Sequence, residues 1–352
     1  MTNGGASVRQ IPFLDVRDGG PIAHATARIA AAEALRDACL APMPRWGHVC
    51  LAPLDRLARS WLQKSASRYF EDLERIAEIL GFHGAATLNM SYLFACTTRA
   101  FVGPDGAPMI RRSLDWPFRG LGRGVEIAWA AGTAGGFYNV TWPGAVGVLT
   151  AMAPGRFSAV INQAPMRRRI DGLAAFPYDF ALNLANALKC ETGWPPDHLL
   201  RYAFETCATF EEAVALLARE PLARPVLFTL TGTKPQEIAL IERTERDANV
   251  LRGPVIVAND WQQPRPGWRG RMGPENNEAR RALMRRTPAD AAPFAWAIPP
   301  VLNHTTRLVV EMTSARADGL AARGYECAPW RSLPEPATAD FRLGDGTAAL
   351  AA

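Results

Sequence analysis

The sequence predicts an α+β fold of antiparallel sheets with helical layers, and three observations carry that expectation. Short strand-like runs cluster in two blocks, 96–163 and 225–259, around a helical block at 173–219, without strict strand–helix alternation. Tight-turn signals (Gly103-Pro104-Asp105-Gly106, Pro143-Gly144, Pro154-Gly155) punctuate the first block as an antiparallel meander requires. The motifs of doubly wound sheets are missing: there is no P-loop and no Gly-x-Ser-x-Gly elbow, and Gly120-Leu121-Gly122-Arg123-Gly124 lacks dinucleotide spacing.

Taken in order, residues 1–20 are polar and read as loose. The Ala-rich stretch 22–40 favours a helix by propensity, and Pro42, Pro44, Gly47 and Pro53 break up the stretch after it. A longer helix is expected from about 54 to 80, where Leu73, Ile76, Ala77 and Leu80 repeat at helical spacing. Glu71, Glu74, Arg75 and Glu78 take its outer face, and Gly81 sits at C′. A helical or mixed segment, 84–93, leads into the strands. After a first hairpin these are expected at 125–129, 137–142, 146–150 and 157–162. Helices come next at 173–190, 197–207 and 210–219, the last with Thr209 as cap and Glu212 three residues on. Strands return at 225–232, 236–243 and 254–259. A loop rich in Pro, Gly and Trp (260–274), a helix at about 275–286, and strands at 306–311 and 318–323 complete the order. The tail beyond Pro334 reads as poorly ordered.

Composition excludes several function classes. With 48% hydrophobic and 21% charged residues the chain is ordinary globular protein. No apolar run approaches the ~20 residues that span a bilayer. The N-terminus lacks a secretory layout, so a cytoplasmic location is expected. The net charge of +5 is carried by arginine, since only Lys64, Lys189 and Lys234 are lysines. No aromatic-interleaved basic patch accompanies it, so solvated surface is preferred to a nucleic-acid footprint. Six cysteines without a Cys-x-x-Cys pair predict no disulfides. The five histidines have no ligand spacing, so neither metal nor cofactor is expected.

The chemistry concentrates in residues 92–118. If the strands fold back symmetrically about Pro104, Cys96 pairs with Arg112, on one face at ~5 Å, with Asp115 at the end of the partner strand. A thiol nucleophile needs a base, and no histidine neighbours Cys96 in sequence. Cleavage of Ala95–Cys96 would create one, because a free α-amine has a pKa of ~7.7–8. Arg112 would favour the thiolate by direct charge interaction, and Asp115 could hold the ammonium form. The bland alternatives are a packed core cysteine, two surface charges, and turn-forming asparagines at Asn162 and Asn259.

Ala95-Cys96-Thr97-Thr98 followed by Arg112-Ser113-Leu114-Asp115-Trp116-Pro117-Phe118 resembles the acid ceramidase and N-acylethanolamine acid amidase family. That family lies within the choloylglycine hydrolase and penicillin V acylase group of N-terminal-nucleophile hydrolases. Gly147-Val148-Leu149-Thr150 through Asn162-Gln163, and Val255 to Asn259 with Trp261 and Pro264, extend the resemblance across roughly 70–312. It implies a four-layer αββα sandwich, self-cleaved before Cys96. Residues 1–95 would remain as a small helical subunit, a heterodimer partner of the 96–352 catalytic domain. By position it implies Cys96 as nucleophile, Arg112 as its neighbour and Asp115 as the amine-orienting carboxylate. Asn162 and Asn259 fall in the oxyanion region, and Arg271 is the site arginine, with Arg269 a close competitor. The implied reaction is hydrolysis of a linear amide of a small N-acyl compound through a Cys96 thioester.

The chain departs from the family's lysosomal members, which have Asn-Glu-Arg where it has Asn162-Gln163-Ala164. Two further readings stand beside the amidase: an acyltransferase of the penicillin-forming type using an amine acceptor, and a catalytically silent binding module.

Overall fold

The computed structural model describes residues 8–90, 95–170, 175–189, 193–271 and 273–344. Strand β1 (Phe13–Asp15) precedes five helices: α1 (Gly20–Ala27), α2 (Ile29–Leu40), α3 (Leu51–Lys64), α4 (Phe70–Leu80) and α5 (Ala85–Asn89). Seven strands come next: β2 (Ala95–Val102), β3 (Pro108–Asp115), β4 (Glu126–Gly132), β5 (Gly135–Thr141), β6 (Thr150–Ala153), β7 (Phe157–Gln163) and β8 (Met166–Arg167). Helices α6 (Ala175–Lys189), α7 (Pro196–Thr206) and α8 (Phe210–Arg219) lead to β9 (Val226–Thr231), β10 (Ile238–Arg243) and β11 (Ala248–Arg252). Strands β12 (Val255–Val257) and β13 (Trp268–Arg269) precede α9 (Pro274–Arg286). The chain closes with β14 (Thr306–Met312), β15 (Leu320–Glu326), β16 (Glu335–Pro336) and β17 (Phe341–Arg342).

The strands form two large sheets. One runs β1-β4-β5-β6-β7-β9-β10-β11; the other runs β12-β2-β3-β14-β15-β16, with β17 also on β15. Apart from the parallel pair of β1 with β4, every pairing between these strands is antiparallel. Strands β2 and β3 of the second sheet pack on β7 and β9 of the first. Outside the first sheet lie α7 and α8; outside the second lies α9. The layer order is therefore αββα, as expected. Fully buried apolar residues such as Phe137, Phe157, Phe204 and Phe228 fill the core of the first sheet and its helices.

Several boundaries differ from expectation. The helix expected over 22–40 breaks at Arg28, whose φ of −126° leaves the helical region. The helix expected over 54–80 is two helices. Ser65 turns extended and its Oγ donates back to Leu62 O at 2.7 Å, while Ser67 Oγ accepts from Tyr69 N, so local side-chain bonds win over continuation. Of the expected segment 84–93, α5 is helical and 91–94 lie outside the described residues. The strand expected at 146–150 starts only at Thr150, because the backbone N of Val146 donates to Asn89 Oδ1 and that of Val148 to Asp197 O instead of to a neighbouring strand.

Strands β1 and β11 were not expected, and the tail to residue 344 is ordered rather than loose. Thr338 Oγ1 accepts from Gly324 N at 2.8 Å and Phe341 is buried against β15. The two- and three-residue strands β1, β16 and β17 carry no readable period; a partner edge creates them.

The first hairpin is also re-registered. Its turn is centred on Asp105, with Gly103 N bonded to Ala107 O at 2.7 Å and Gly106 at a φ of +80°. Drawing Ala107 into the turn pairs Val102 with Pro108, Thr98 with Arg112 and Cys96 with Leu114. The expected Cys96–Arg112 pairing is thus wrong by two residues. Because strand faces alternate with period two, Cys96 and Arg112 still share a face as diagonal neighbours.

Candidate active site

Cys96, Arg112, Asp115, Asn162 and Asn259 all lie fully or almost fully buried where the ends of β2, β3, β7 and β12 meet. A polar cluster at this depth holds together only if its groups satisfy one another. Arg112 does so as a planar fork. Its Nη1 donates to Leu149 O at 3.0 Å, and its Nη2 donates to Ile161 O at 2.9 Å and to Cys96 Sγ at 3.3 Å. Burial pushes the Cys96 thiol above its ordinary range, and the Arg112 charge and hydrogen bond pull it back down. The hydrogen-bond partners of Cys96 among the described residues include no histidine.

With the chain continuous, Cys96 N is a backbone amide donating to Asn259 Oδ1 at 3.0 Å. Asn259 Nδ2 donates across to Gln163 O at 2.9 Å, tying β12's end to the facing sheet. Asn162 is held by Thr98, whose Oγ1 donates to Asn162 Oδ1 at 2.7 Å, and its own Nδ2 donates to Ala258 O at 3.2 Å. Asn259 Nδ2 carries a second N–H beyond the one so engaged, and Asn162 Nδ2 also reaches Val257 O at 3.5 Å.

Asp115 accepts from Thr306 Oγ1 at 2.8 Å, and its other oxygen, Oδ2, faces Arg280 at 3.6 Å. Burial raises its carboxyl above the usual range, against the pull of Arg280 and then Thr306. Arg280 is the residue that sequence reading missed. Fully buried on α9, it donates to Cys96 O at 2.9 Å, Thr97 Oγ1 at 3.0 Å, Asn259 Oδ1 at 3.2 Å and Asn277 Oδ1 at 2.6 Å. The available signal was Asn277 and Arg280 at i, i+3 on a polar helix, which is indistinguishable from a solvated face until α9 is seen packed on β2.

Arg271 lies one layer further out, its backbone N bonded to Asn259 O at 3.0 Å and its Nε to Ala164 O at 2.8 Å. Arg269 turns away to Ile170 O and Asp179. Of the two arginines weighed from sequence, Arg271 is the one at the site's edge.

At Trp116, the residue after Asp115, opens a small apolar cleft with a cavity volume of about 80 Å³. Leu35, Leu80 and Leu88 from the helical segment form one wall, and Trp116, Phe118 and Trp142 the other. Asn89 clasps the two sides, donating to Gly144 O and accepting from Val146 N. Among the described residues, no helix is long and apolar enough to cross a membrane, and no group of three His, Cys, Asp or Glu could hold a metal ion.

No protein-family model matches the chain. It is 26% identical over 160 residues to an N-acylethanolamine-hydrolyzing acid amidase from Oryctolagus cuniculus, a match covering 44% of this chain and 41% of that protein. The chain thus spans less than half the length of this curated relative. In fold it is similar to an N-acylethanolamine-hydrolyzing acid amidase ortholog from Caenorhabditis elegans, with a TM-score of 0.50 at 19% identity, over 64% of this chain and 95% of that one. The chain thus resembles an acid amidase in sequence over part of its length and shares the fold of an acid amidase ortholog. A conjugated bile acid hydrolase from Clostridium perfringens aligns over 70% of this chain and 96% of its own, with a TM-score of 0.40 and 9% identity.

Proposed function

We propose that this acid amidase-like chain is a self-processing cysteine amidase acting on a linear amide of a small N-acyl compound. The observation that carries the reading is Cys96 itself, its Sγ 3.3 Å from Arg112 and its N held by Asn259 at 3.0 Å. In the precursor, Cys96 Sγ adds to the Ala95 carbonyl, the thiol proton passes to the departing nitrogen, and the chain end becomes a thioester on Cys96. Water hydrolyses that thioester, releasing residues 1–95 as a carboxylate and leaving Cys96 with a free α-amine. The amine then accepts the thiol proton in each turnover and returns it to the leaving amine of the substrate; water resolves the second thioester.

The surrounding residues have separable roles. Arg112 stabilises the thiolate. Asn259 keeps the α-nitrogen in place through Oδ1, Arg280 fixes Asn259 and the Cys96 carbonyl, and Asp115 balances the buried charge of Arg280. The side-chain amides of Asn162 and Asn259 serve the oxyanion, where one donor is worth about 3 kcal/mol. The acyl chain occupies the apolar cleft, so residues 1–95 stay docked and form one of its walls.

Intact-mass analysis tests the reading. Wild type is expected as two fragments, 1–95 and 96–352, and Cys96→Ala as one chain. A wild-type protein that stays uncut and turns over no N-acyl amide defeats it.

A further inference from the structure

The corner formed by β8, β13 and the loop between β12 and β13 is rich in arginine, and most of its cations are neutralised locally. Arg167 makes a two-pronged bond to Glu245 at 2.6 and 2.7 Å, Arg265 meets Glu242 at 3.3 Å, and Arg269 meets Asp179 at 3.7 Å. Arg271 differs. Its backbone N is fastened to Asn259 O and its Nε to Ala164 O, so its side chain spans the gap between the two sheets at the end where Cys96 lies. Among the described residues no carboxylate pairs with it. Gln163 and Ala164, on the strand end it reaches, are uncharged.

Arg271 is part-buried, so its guanidinium end is open to an anion from the site. Burial, with the charge of Arg224 adding to it, pushes the Arg271 guanidinium down to about 9, which leaves it cationic at neutral pH. Two of its hydrogen-bonding atoms, the backbone N and Nε, are committed, and the planar end remains for a bidentate acceptor. The cleft lined by Trp116 and Trp142 is apolar and suits a hydrocarbon chain. Arg271 is joined to the nucleophile through Asn259, whose backbone O accepts from Arg271 N at 3.0 Å and whose Oδ1 accepts from Cys96 N at 3.0 Å.

We infer that Arg271 is a specificity-determining residue that binds a carboxylate on the amine half of the substrate, making the preferred substrate an N-acyl amino acid rather than a neutral N-acyl amine. The inference deepens the amidase reading and rests on it for turnover. The acyl chain enters the apolar cleft, the amide carbonyl meets Cys96 Sγ, and the amine half extends past Asn259 to Arg271.

The test compares N-dodecanoylglycine with N-dodecanoylethanolamine, which share an acyl chain and differ only in carboxylate against hydroxymethyl. Wild type should favour the acylglycine in kcat/KM by about tenfold, the worth of one hydrogen bond to a charged group, with the difference in KM. Arg271→Gln should bring the ratio to about one, and Arg271→Lys, which keeps the charge and loses the fork, should leave it in between. A wild-type ratio at or below one, or a ratio that neither substitution moves, overturns the inference. Calorimetric binding of the two amides to Cys96→Ala repeats the comparison without turnover. Tighter acylglycine binding that Arg271→Gln abolishes supports the anion site even if wild type hydrolyses neither amide, in which case only the nucleophile reading falls. Equal binding of the two amides overturns the anion site.

Discussion

Replacing Arg280 by Met, in a Cys96→Ala chain so that self-cleavage does not intervene, isolates the buried charge pair beneath the nucleophile. Arg280 and Asp115 are both fully buried and 3.6 Å apart, and Asp115 also accepts from Thr306 Oγ1 at 2.8 Å. Removing Arg280 also takes a donor from Cys96 O, Thr97, Asn259 and Asn277. Breaking a buried pair by removing one partner costs about 3–5 kcal/mol. An unfolding entropy of about 2.1 cal/mol/K per residue amounts to about 0.7 kcal/mol/K for a chain this long, so Tm should fall by about 4–7 °C. The loss has a pH signature. Burial already holds the folded Asp115 carboxyl above its unfolded value of 3.8, and removing the arginine raises it further. The neutral acid is then tolerated and the carboxylate is not, so the variant keeps more of its stability near pH 4 and loses it as pH rises through the folded pKa. Differential scanning from pH 4 to 8 measures both effects. A fall below 1 °C, or one independent of pH, refutes the account of Arg280 as the counter-charge of Asp115.

Two further outcomes are expected from the same geometry. Arg112→Ala removes the cation 3.3 Å from Sγ, so the pH curve for alkylation of Cys96 in the processed protein should move upward, and kcat/KM near neutrality should fall by at least about a hundredfold. An unshifted alkylation curve contradicts the role given to Arg112. His198 is fully buried on α7, with Nδ1 2.7 Å from Ser67 Oγ and its ring edge-on to Tyr69. Burial depresses its pKa below 6.5, more than Asp197 restores it. Its contribution to stability is present above pH 6.5 and lost as pH falls through the depressed folded value. Wild type should therefore lose Tm on acidification through that window, and His198→Gln should flatten the slope; parallel curves would show that another group dominates.

How far each part was legible depended on the reach of the signal. Helix α8 was read to the residue because Thr209 caps it from inside the same segment, its Oγ1 accepting from Glu212 N. The hairpin signalled its turn and shared face but not its register, since Pro104 looked like the centre until Ala107 was seen bonded to Gly103. Arg271 drew attention because it falls where the resembled family has a site arginine, whereas Arg280, which touches Cys96, did not.

By itself the sequence determined the local grammar of this protein. Its strand and helix blocks come from periodicity and turn chemistry acting over a few residues, and Cys96, Arg112, Asp115, Asn162 and Asn259 stood out by the order and spacing they share with the family the sequence resembles. Tertiary structure alone decided which distant groups complete the site. Arg280 bonds to the Cys96 carbonyl across 184 positions, Asn259 to the Cys96 nitrogen across 163, and β1 exists only because β4 offers it an edge. Those contacts are fixed by the packing of α9 and of the two sheets, a global fit of volume and buried polarity that no short window of sequence contains.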